Sequence, residues 1–468
     1  MLHCELQKDG LQHQVVLTDT DFIYRVKPRD DKEIDHGFTN IWNMGSIPLD
    51  RMLAVSKRVK QLKENQDSFT IHYVTKTGSC NLSARKVKFK GDEKTCLVIR
   101  DKLRSYVNKR HPIRRFLVLI NPVSGKRNAR TIFRRNVEPI LTLCGVLTEV
   151  IVTERPKHAE EILKNRDLSD FEGVIAVGGD GFYSECVTGL LVRAQLRARI
   201  DPNDPESTIT PASLPVGIIP AGSGDFIVQY LHGTRDPTTA AIHVVLGKCQ
   251  KANVVSVFKG RQLCCYSGLL LGFGLIGDIM NDLEGYRWMG SARFKIIPTR
   301  SVMNRRMIDI EMDYLTDTWQ TLSRSVYGID AYVITWRPEE SKMAACFGDS
   351  ALSLYITGKC KLSNHMKQLR KVQLQSKDCW DYDFVDQLRV QGFRVRFPNT
   401  PQLQTPEGEA LLTDKYYLNC DGEVVTIDRP EFEVRLHRDV VSLFGDSSVR
   451  DMNNNVFVWY RSTETTAL

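Results

Sequence analysis

The sequence predicts a central α/β domain with a small β domain before it and a larger β-rich domain after it. Between residues 116 and 255, apolar runs typical of buried parallel strands alternate with segments at helical spacing. Before residue 110 and after residue 255, apolar and polar side chains instead alternate in the β manner, with polar turns between the runs. The 468 residues suffice for two or three such domains.

The segment 1–110 begins the chain with β-type runs such as Gln14–Leu17, Phe22–Arg25 and Phe69–Val74. It ends with apolar residues at helical spacing between Cys96 and Val107. Several antiparallel strands closed by one helix predict a small β-barrel of pleckstrin-homology type, although other small barrels have the same pattern.

Residues 112–255 contain the predicted strands Phe116–Ile120 and Leu147–Val152 and the predicted helices Ala159–Lys164 and Pro237–Leu246. Such alternation indicates parallel βαβ units with right-handed crossovers.

Residues 256–445 predict many short strands, which favours a β-sandwich. The predicted strands are Gln262–Ser267, Met307–Tyr314, Ser325–Trp336, Leu352–Thr357, Phe393–Phe397 and Glu433–Leu436. The polar residues 446–468 are expected to be a loose tail.

A glycine turn with one carboxylate, Gly178-Gly179-Asp180-Gly181, follows the apolar run 173–177. Ser184 and Glu185 are placed to open the next helix. Glycine amides and a helix N-terminus favour a phosphate group, and a lone carboxylate beside them indicates a base acting on a hydroxyl. A tight turn with an ordinary capping Asp is the alternative.

Two further turns of this kind follow predicted strands, at 121–126 and 221–225, and residues 419–423 near the C-terminus place two carboxylates around a glycine. Turns at the carboxyl ends of parallel strands meet in one crevice, where open α/β folds bind ligands. Gly125-Lys126 lacks the glycine and the Ser or Thr of a Walker A loop, and the dinucleotide fingerprint is also absent. We therefore predict nucleotide binding through a different loop set.

Five motifs occur in an order that resembles one known family: Asn-Pro-x-Ser-Gly-Lys, Thr-Glu-Arg-x-x-His-Ala, Gly-Gly-Asp-Gly, Pro-Ala-Gly-Ser-Gly and Asp-Gly-Glu. Over residues 112–445 the chain is similar to lipid kinases of the diacylglycerol-kinase type, in the branch of the sphingosine and ceramide kinases. Asp225 (where sphingosine kinases carry Asn), the segments 277–279 and 286–294, and the C-terminal runs 435–437 and 442–444 resemble ceramide kinases.

The resemblance implies an α/β nucleotide-binding domain paired with a β-sandwich lipid-binding domain. It implies transfer of phosphate from ATP to the primary hydroxyl of ceramide, giving ceramide 1-phosphate, with Asp180 as general base and Mg²⁺ as cofactor. The alternatives are a sphingosine kinase and a catalytically silent ceramide-kinase-like binding protein. The intact carboxylates Asp180, Asp421 and Glu423 favour an enzyme.

The resemblance also assigns site residues by position. Residues expected to bind ATP are Asn121, Pro122, Val123, Thr153, Glu154, Arg155, Pro156, Lys157, Glu185, Gly222, Ser223, Gly224, Arg287, Arg293, Asp421, Gly422 and Glu423. Asp421 and Glu423 are the expected magnesium ligands. Residues expected at the lipid substrate are Gly178, Gly179, Asp180, Gly181 and Asp278, with Asp282 as an alternative to Asp278.

Composition indicates a cytoplasmic protein that associates peripherally with membranes. The mean hydropathy is −0.27, and no apolar run approaches the ~20 residues of a membrane span. The N-terminus lacks the features of a signal peptide, and the twelve cysteines show no disulfide or zinc-finger spacing.

The net charge is +8, and residues 100–115 form a basic cluster. This cluster favours binding to an anionic membrane surface. The alternative is that it belongs to a solvated linker helix with no partner. No nucleic-acid-binding motif accompanies this charge. Residues 366–374 form a basic amphipathic stretch that suits calmodulin, with a core helix as the alternative.

Overall fold

The computed structural model describes residues 1–27, 44–57, 65–110, 114–339, 342–374, 376, 378–404 and 410–445. The tail predicted at 446–468 lies outside these residues. No helix within the described ranges is both long and apolar enough to cross a lipid bilayer.

The N-terminal unit is an antiparallel sheet with strand order β4-β3-β2-β1-β7-β6-β5, followed by one helix. Its elements are β1 Leu2–Lys8, β2 Leu11–Leu17, β3 Asp21–Val26, β4 Met44–Pro48, β5 Met52–Lys57, β6 Gln66–Thr77, β7 Asn81–Asp92 and α1 Glu93–Arg110. Asp92 accepts the Thr95 amide (2.8 Å) at the start of α1. Ile99, Leu103 and Val107, at helical spacing, bury one face of α1 against the sheet.

The central unit contains four parallel strands in the order β11-β10-β8-β9. Its elements are β8 Arg115–Ile120, α2 Ala129–Ile132, α3 Glu138–Leu143, β9 Leu147–Val152, α4 His158–Asn165, β10 Gly173–Gly178, α5 Asp180–Arg197, β11 Val216–Pro220, α6 Phe226–His232 and α7 Pro237–Leu246. Strands β8, β10 and β11 are buried almost throughout, because helices cover both faces of the sheet.

The second half is rich in strands. Its elements are β12 Cys249–Lys259, β13 Gln262–Ser267, β14 Leu270–Gly274, α8 Leu275–Gly285, α9 Arg293–Met303, β15 Ile308–Leu315, β16 Trp319–Val326, β17 Gly328–Tyr332, β18 Thr335–Glu339, β19 Lys342–Cys346, β20 Leu352–Thr357, α10 Leu362–Leu374, β21 Val385–Val390, β22 Gly392–Arg396, β23 Gln402–Gln404, β24 Ala410–Leu412, β25 Tyr416–Cys420, β26 Glu423–Ile427 and β27 Glu431–Phe444.

The longest of these strands, β27, joins the two halves. Its first residues pair with β22, its whole length pairs with β12, and Leu443 pairs with Val216 of β11. The parallel sheet therefore continues into β15, β16 and β22, and a separate six-stranded sheet (order β21-β20-β17-β14-β25-β26) shares a core with this extension. Phe273 and Phe432, whose ring centroids are 5.1 Å apart, lie at the centre of that core.

Three sequence predictions about elements were wrong. Helix α5 begins at Asp180 rather than at Ser184, because the extended Gly179 ends β10 and the chain turns at once. Helices α8 and α9 occupy a region predicted as strands and loops, since their apolar residues form a small core of their own. Residues 325–336 are divided among β16, β17 and β18 rather than forming one strand.

The N-terminal unit packs against the central unit. The Leu82 amide donates to Thr239 Oγ1 of α7 (2.8 Å), and Leu53 and Val74 contribute to the same apolar cluster as α7. The N-terminal sheet is thus fixed to the helical layer behind the parallel sheet.

Candidate active site

Four loops meet at the carboxyl edge of the parallel sheet, after β8, β9, β10 and β11. The Asn121 amide donates to the carbonyl of Val177 (3.0 Å), and the Ala221 amide donates to the carbonyl of Gly178 (3.0 Å). The Asn121 side chain also accepts its own loop's Val123 amide (3.1 Å). The predicted turns at 121–126, 178–181 and 221–225 therefore contact one another, and residues 419–423 lie against the start of α5.

Glycines allow these loops to touch backbone to backbone. A Cβ at Gly222 would lie 2.5 Å from Gly179 Cα. A Cβ at Gly125, whose φ is +50°, would lie 2.6 Å from the Ala221 carbonyl oxygen. The sequence predicted close approach of a ligand, whereas the nearest atoms at these positions belong to the neighbouring loop.

Asp180 lies in the first turn of α5, with its carboxylate 9% exposed. Its Oδ1 accepts the Ile227 amide (2.9 Å) and its Oδ2 accepts the Phe226 amide (3.0 Å). These are the first amides of α6, which lacks a capping side chain of its own. A carboxylate has about four acceptor sites, so Asp180 can be held by α6 and still accept a further proton donor.

Burial raises the pKa of Asp180 to about 6, although the two amide hydrogen bonds oppose this shift. Asp225 lies close by in left-handed backbone conformation (φ 53°), and its Oδ1 accepts the Gly222 amide (2.9 Å). Burial, and then the charge of Asp180, raises the pKa of Asp225 to about 7. The exposed Arg235 is the cation that favours the charged form of both carboxyls.

Asp421 is buried behind this turn and is 4% exposed. Both of its carboxylate oxygens accept hydrogen bonds, from the Ser184 and Ser267 hydroxyls and from the amides of Gly268, Leu269 and Leu270. Burial raises the pKa of Asp421 despite these donors. Asp421 thus fastens the β13–β14 turn to α5, a structural task that the sequence did not predict.

Glu423 extends from the same C-terminal turn, in which Gly422 has φ +95°. Its side chain is exposed and lies against the turn at 178–181, because a Cβ at Gly181 would be 2.7 Å from Glu423 Oε1. Within the described residues, no group of three or more His, Cys, Asp or Glu side chains forms a complete metal site.

The predicted stretch Thr153–Lys157 follows β9 and leads into α4. Thr153 is buried and its hydroxyl donates to the Ile120 carbonyl (3.3 Å), whereas Arg155 pairs with Glu161 at the surface. Glu185 accepts the Ala159 amide (2.8 Å) and so caps α4, and burial raises its pKa. Glu185, predicted as a nucleotide contact, therefore already has a partner in the protein.

Residues predicted around α8 and α9 also have partners. Asp278, on α8, pairs with Arg306 through two hydrogen bonds of 2.9 and 3.1 Å. Arg293 donates to the Leu283 carbonyl (2.8 Å), and the side chain of Arg287 lies outside the described residues. Sequence reasoning missed Arg306, because no motif surrounds it.

The comparisons with known proteins agree with this architecture. The family model "Diacylglycerol kinase catalytic domain" matches residues 115–257. The chain is 29% identical to a ceramide kinase from Homo sapiens, covering 82% of this chain and 83% of that protein. It is 35% identical to sphingosine kinase 2 from Arabidopsis thaliana, covering 73% and 78%.

A solved structure from Bacillus anthracis str. Sterne, described as a diacylglycerol kinase, superposes with a TM-score of 0.50 at 13% identity. The match covers 72% of this chain and 99% of the bacterial chain. At that identity the likeness concerns the fold alone.

Proposed function

This chain belongs to the lipid kinases of the diacylglycerol-kinase type, in the branch of the ceramide and sphingosine kinases, and we propose that it phosphorylates the primary hydroxyl of ceramide with ATP. The observation that carries this proposal is the Asp180 carboxylate, which is fixed by two α6 amides at the edge of the parallel sheet. A base in that position can orient the acceptor hydroxyl and take its proton.

In the proposed mechanism, the hydroxyl oxygen of the lipid forms a bond to the γ-phosphorus of ATP while the bond between that phosphorus and the β,γ-bridging oxygen breaks. Asp180 receives the hydroxyl proton, and ADP leaves with the bridging oxygen. A raised pKa suits this role, because a carboxylate of ordinary pKa is a weak base at neutral pH. The glycine loops at 121–126 and 222–224 supply backbone amides for the phosphates, and the exposed Arg235 supplies a positive charge.

The residues present fit one Mg²⁺ ion held mainly by Glu423. Magnesium sites commonly use one or two carboxylates together with substrate oxygens and water. Glu423 is exposed beside the turn at 178–181. The buried Asp421 oxygens accept five hydrogen bonds from the protein. When bound, Mg²⁺ would neutralise phosphate charge, and Asp421 would act by positioning the turn that carries Glu423.

Ceramide and sphingosine each have support. The resemblance places Asp225 where sphingosine kinases carry Asn, and the similarity to the human ceramide kinase extends over 82% of the chain; both favour ceramide. The higher identity, 35%, is to a sphingosine kinase, which makes sphingosine the second candidate. A site for ceramide must accept a neutral amide and two chains, whereas a site for sphingosine must accept an ammonium group.

A substrate panel tests the proposal. With labelled ATP, Mg²⁺ and mixed micelles, we expect ceramide to be phosphorylated well, sphingosine poorly and diacylglycerol weakly. The Asp180→Asn variant, purified in parallel, controls for contaminating kinases. Faster turnover of sphingosine would reject ceramide but keep the lipid kinase, while no turnover of any lipid would favour the silent binding protein.

The pH dependence should report the ionisation of Asp180. Asp180 is active when ionised, so kcat/KM for the lipid should fall as the pH drops through about 6. Asp225→Asn is the matched control, because it retains an acceptor for the Gly222 amide and tolerates the left-handed backbone. Asp225, whose pKa is about 7, is still protonated where Asp180 ionises, so the acid limb should stay near pH 6 in this variant. A limb that moves to lower pH in Asp225→Asn would contradict this order of ionisation.

We also propose that the protein acts at a membrane surface from the cytoplasmic side. Trp288, Ile296 and Met303 are 79%, 53% and 65% exposed around α9, and the N-terminal sheet with its single helix suits a pleckstrin-homology-like domain. Aromatic and aliphatic side chains of this kind enter the membrane interface readily.

Vesicle sedimentation checks this surface. Trp288→Ser should weaken binding to phosphatidylserine-containing vesicles several-fold, and the matched variant Trp319→Ser, at an exposed β16 position, should not. Equal binding by both variants would remove the α9 surface from the proposal.

Calmodulin is a weaker candidate partner. His365 and Gln368 are buried on one face of α10, so the helix would have to detach from the protein before calmodulin could bind it.

A further inference from the structure

An acidic side chain outside the family motifs lies on the outer face of the six-stranded sheet. Asp330 is the middle residue of β17, opposite Gly272 of β14 and Tyr355 of β20. Its neighbours Ile329 and Ala331 point into the core and are 2% and 1% exposed. Because side chains alternate along a strand, Asp330 points to the opposite face, which carries α8.

Partly exposed aromatic rings surround this position. Tyr355 and Trp380 are stacked with their centroids 4.1 Å apart, and Tyr332 lies edge-on to both, at 5.8 and 6.0 Å. On the other side, a Cβ at Gly272 would lie 3.2 Å from Asp330 Oδ1 and 2.5 Å from Ile276 of α8. The glycine thus leaves a gap between the carboxylate and α8 that any other residue would fill.

Asp330 has no hydrogen bond or ion pair with any residue that the structure describes. Burial alone raises its pKa to about 7. Asp330 is half-buried, so its carboxylate lies among protein atoms but can still be reached by a ligand. Partial removal from water without a protein partner costs a carboxylate free energy, which a donor on a ligand would restore. Such a group is therefore a candidate for pairing with a ligand.

Helix α6 connects this position with Asp180. Asp180 accepts the amide of Phe226, at the start of α6. Tyr230 lies four residues further on, which is about 6 Å along the helix axis.

Strand β14 gives a second connection. Gly272, opposite Asp330, lies two residues (about 7 Å) along β14 from Leu270, whose amide donates to Asp421 (2.8 Å), and Asp421 also accepts the Ser184 hydroxyl of α5. Leu270 is on the same face of β14 as Gly272 and packs against the apolar cluster that contains Tyr230. Asp330 therefore lies near the end of β14 that Asp421 holds against α5.

We propose that Asp330, framed by Tyr332, Tyr355 and Trp380, is a specificity-determining residue that accepts a hydrogen bond from an N–H or O–H group of the lipid headgroup. This inference rests on the proposed function. The donor is the amide N–H or secondary hydroxyl of ceramide, or the ammonium group of a long-chain base. Diacylglycerol has ester oxygens at the corresponding place, which only accept, so it would leave the carboxylate unpaired.

The experiment compares Asp330→Leu and Asp330→Asn with the matched control Asp317→Leu, at an exposed turn between β16 and β15. We expect Asp330→Leu to raise the KM for ceramide by about 10- to 100-fold, the range for loss of a hydrogen bond to a charged group. The KM for ATP should stay unchanged, and the turnover of diacylglycerol should not fall and should rise if the unpaired carboxylate is what disfavours it. Asp330→Asn, which retains an acceptor oxygen, should lie between wild type and Leu.

A melting curve separates this role from a structural one. Removal of an unpartnered carboxyl should leave Tm unchanged or raise it, whereas loss of a structural contact would lower it.

Direct binding of a short-chain ceramide, followed by Trp fluorescence, should weaken in Asp330→Leu even without ATP. Wild-type affinity in that variant would overturn the inference while leaving the kinase assignment intact. If the wild-type protein phosphorylates no lipid, the proposed function itself is rejected. A larger loss with sphingosine than with ceramide would identify the ammonium group as the donor.

Discussion

Asp180→Asn is expected to lower kcat by about 10²–10⁴-fold, the usual contribution of a positioned general base. The substitution keeps the size of the side chain and one acceptor oxygen, so one of the two α6 amides retains its partner. Loss of the other hydrogen bond costs about 1 kcal/mol, and removal of a buried charge offsets part of that cost. Labelled-ATP kinetics and a melting curve measure the two effects separately.

Asp204→Asn is the matched control. Asp204 also accepts a backbone amide, that of Glu206 (3.0 Å), but it lies in a surface loop away from the sheet edge. That variant should keep wild-type turnover. A folded Asp180→Asn protein with near-normal kcat would exclude Asp180 as the base, and a protein that unfolds would show instead that capping α6 is its main task.

Gly181→Asp should reduce activity by about 10²-fold or more and raise the KM for MgATP. The new Cβ would meet Glu423, whose Oε1 is 2.7 Å from that position, so Glu423 must move. The added carboxylate would also repel both Glu423 and the phosphates. Displacements of about 1 Å in an active site can cost two orders of magnitude in rate.

Two further variants separate crowding from charge. Gly181→Ala displaces Glu423 without adding charge and should have a smaller effect. Gly285→Asp introduces the same side chain at a glycine with nothing within 4 Å and should be nearly neutral. Equal kinetics for Gly181→Asp and wild type would show that Glu423 has no part in binding MgATP.

Local patterns in the sequence determined the core of the parallel sheet. The predicted strand Leu147–Val152 and the predicted helix Pro237–Leu246 agree with the structure to the residue. Both depend on hydrophobic periodicity and on turn residues at their ends, which act over a few residues only. The glycine turns after β8, β10 and β11 were predictable for the same reason, since a strand followed by glycines must turn sharply there.

Elements stabilised by one another were not predictable in this way. Helices α8 and α9 are stabilised by a shared apolar core that contains Leu283 and Val302. Their sequences predict a helix only weakly, and α9 contains Pro298, a residue that disfavours the interior of a helix. The start of α5 was misplaced by one turn, because an Asp in a glycine turn resembles a loop residue until the neighbouring α6 supplies its hydrogen bonds.

The sequence by itself thus determined the family, the loop that carries Asp180 and the order in which β-rich, α/β and again β-rich segments follow one another. Only the tertiary structure decided what each carboxyl contacts. Asp421 accepts its hydrogen bonds from residues 151 to 237 positions earlier in the chain, and Asp278 of α8 pairs with Arg306, which follows α9. The physical reason is that a carboxyl's partners are set by which strands and helices become neighbours, and those neighbours are chosen by packing of the whole core rather than by the residues beside the carboxyl.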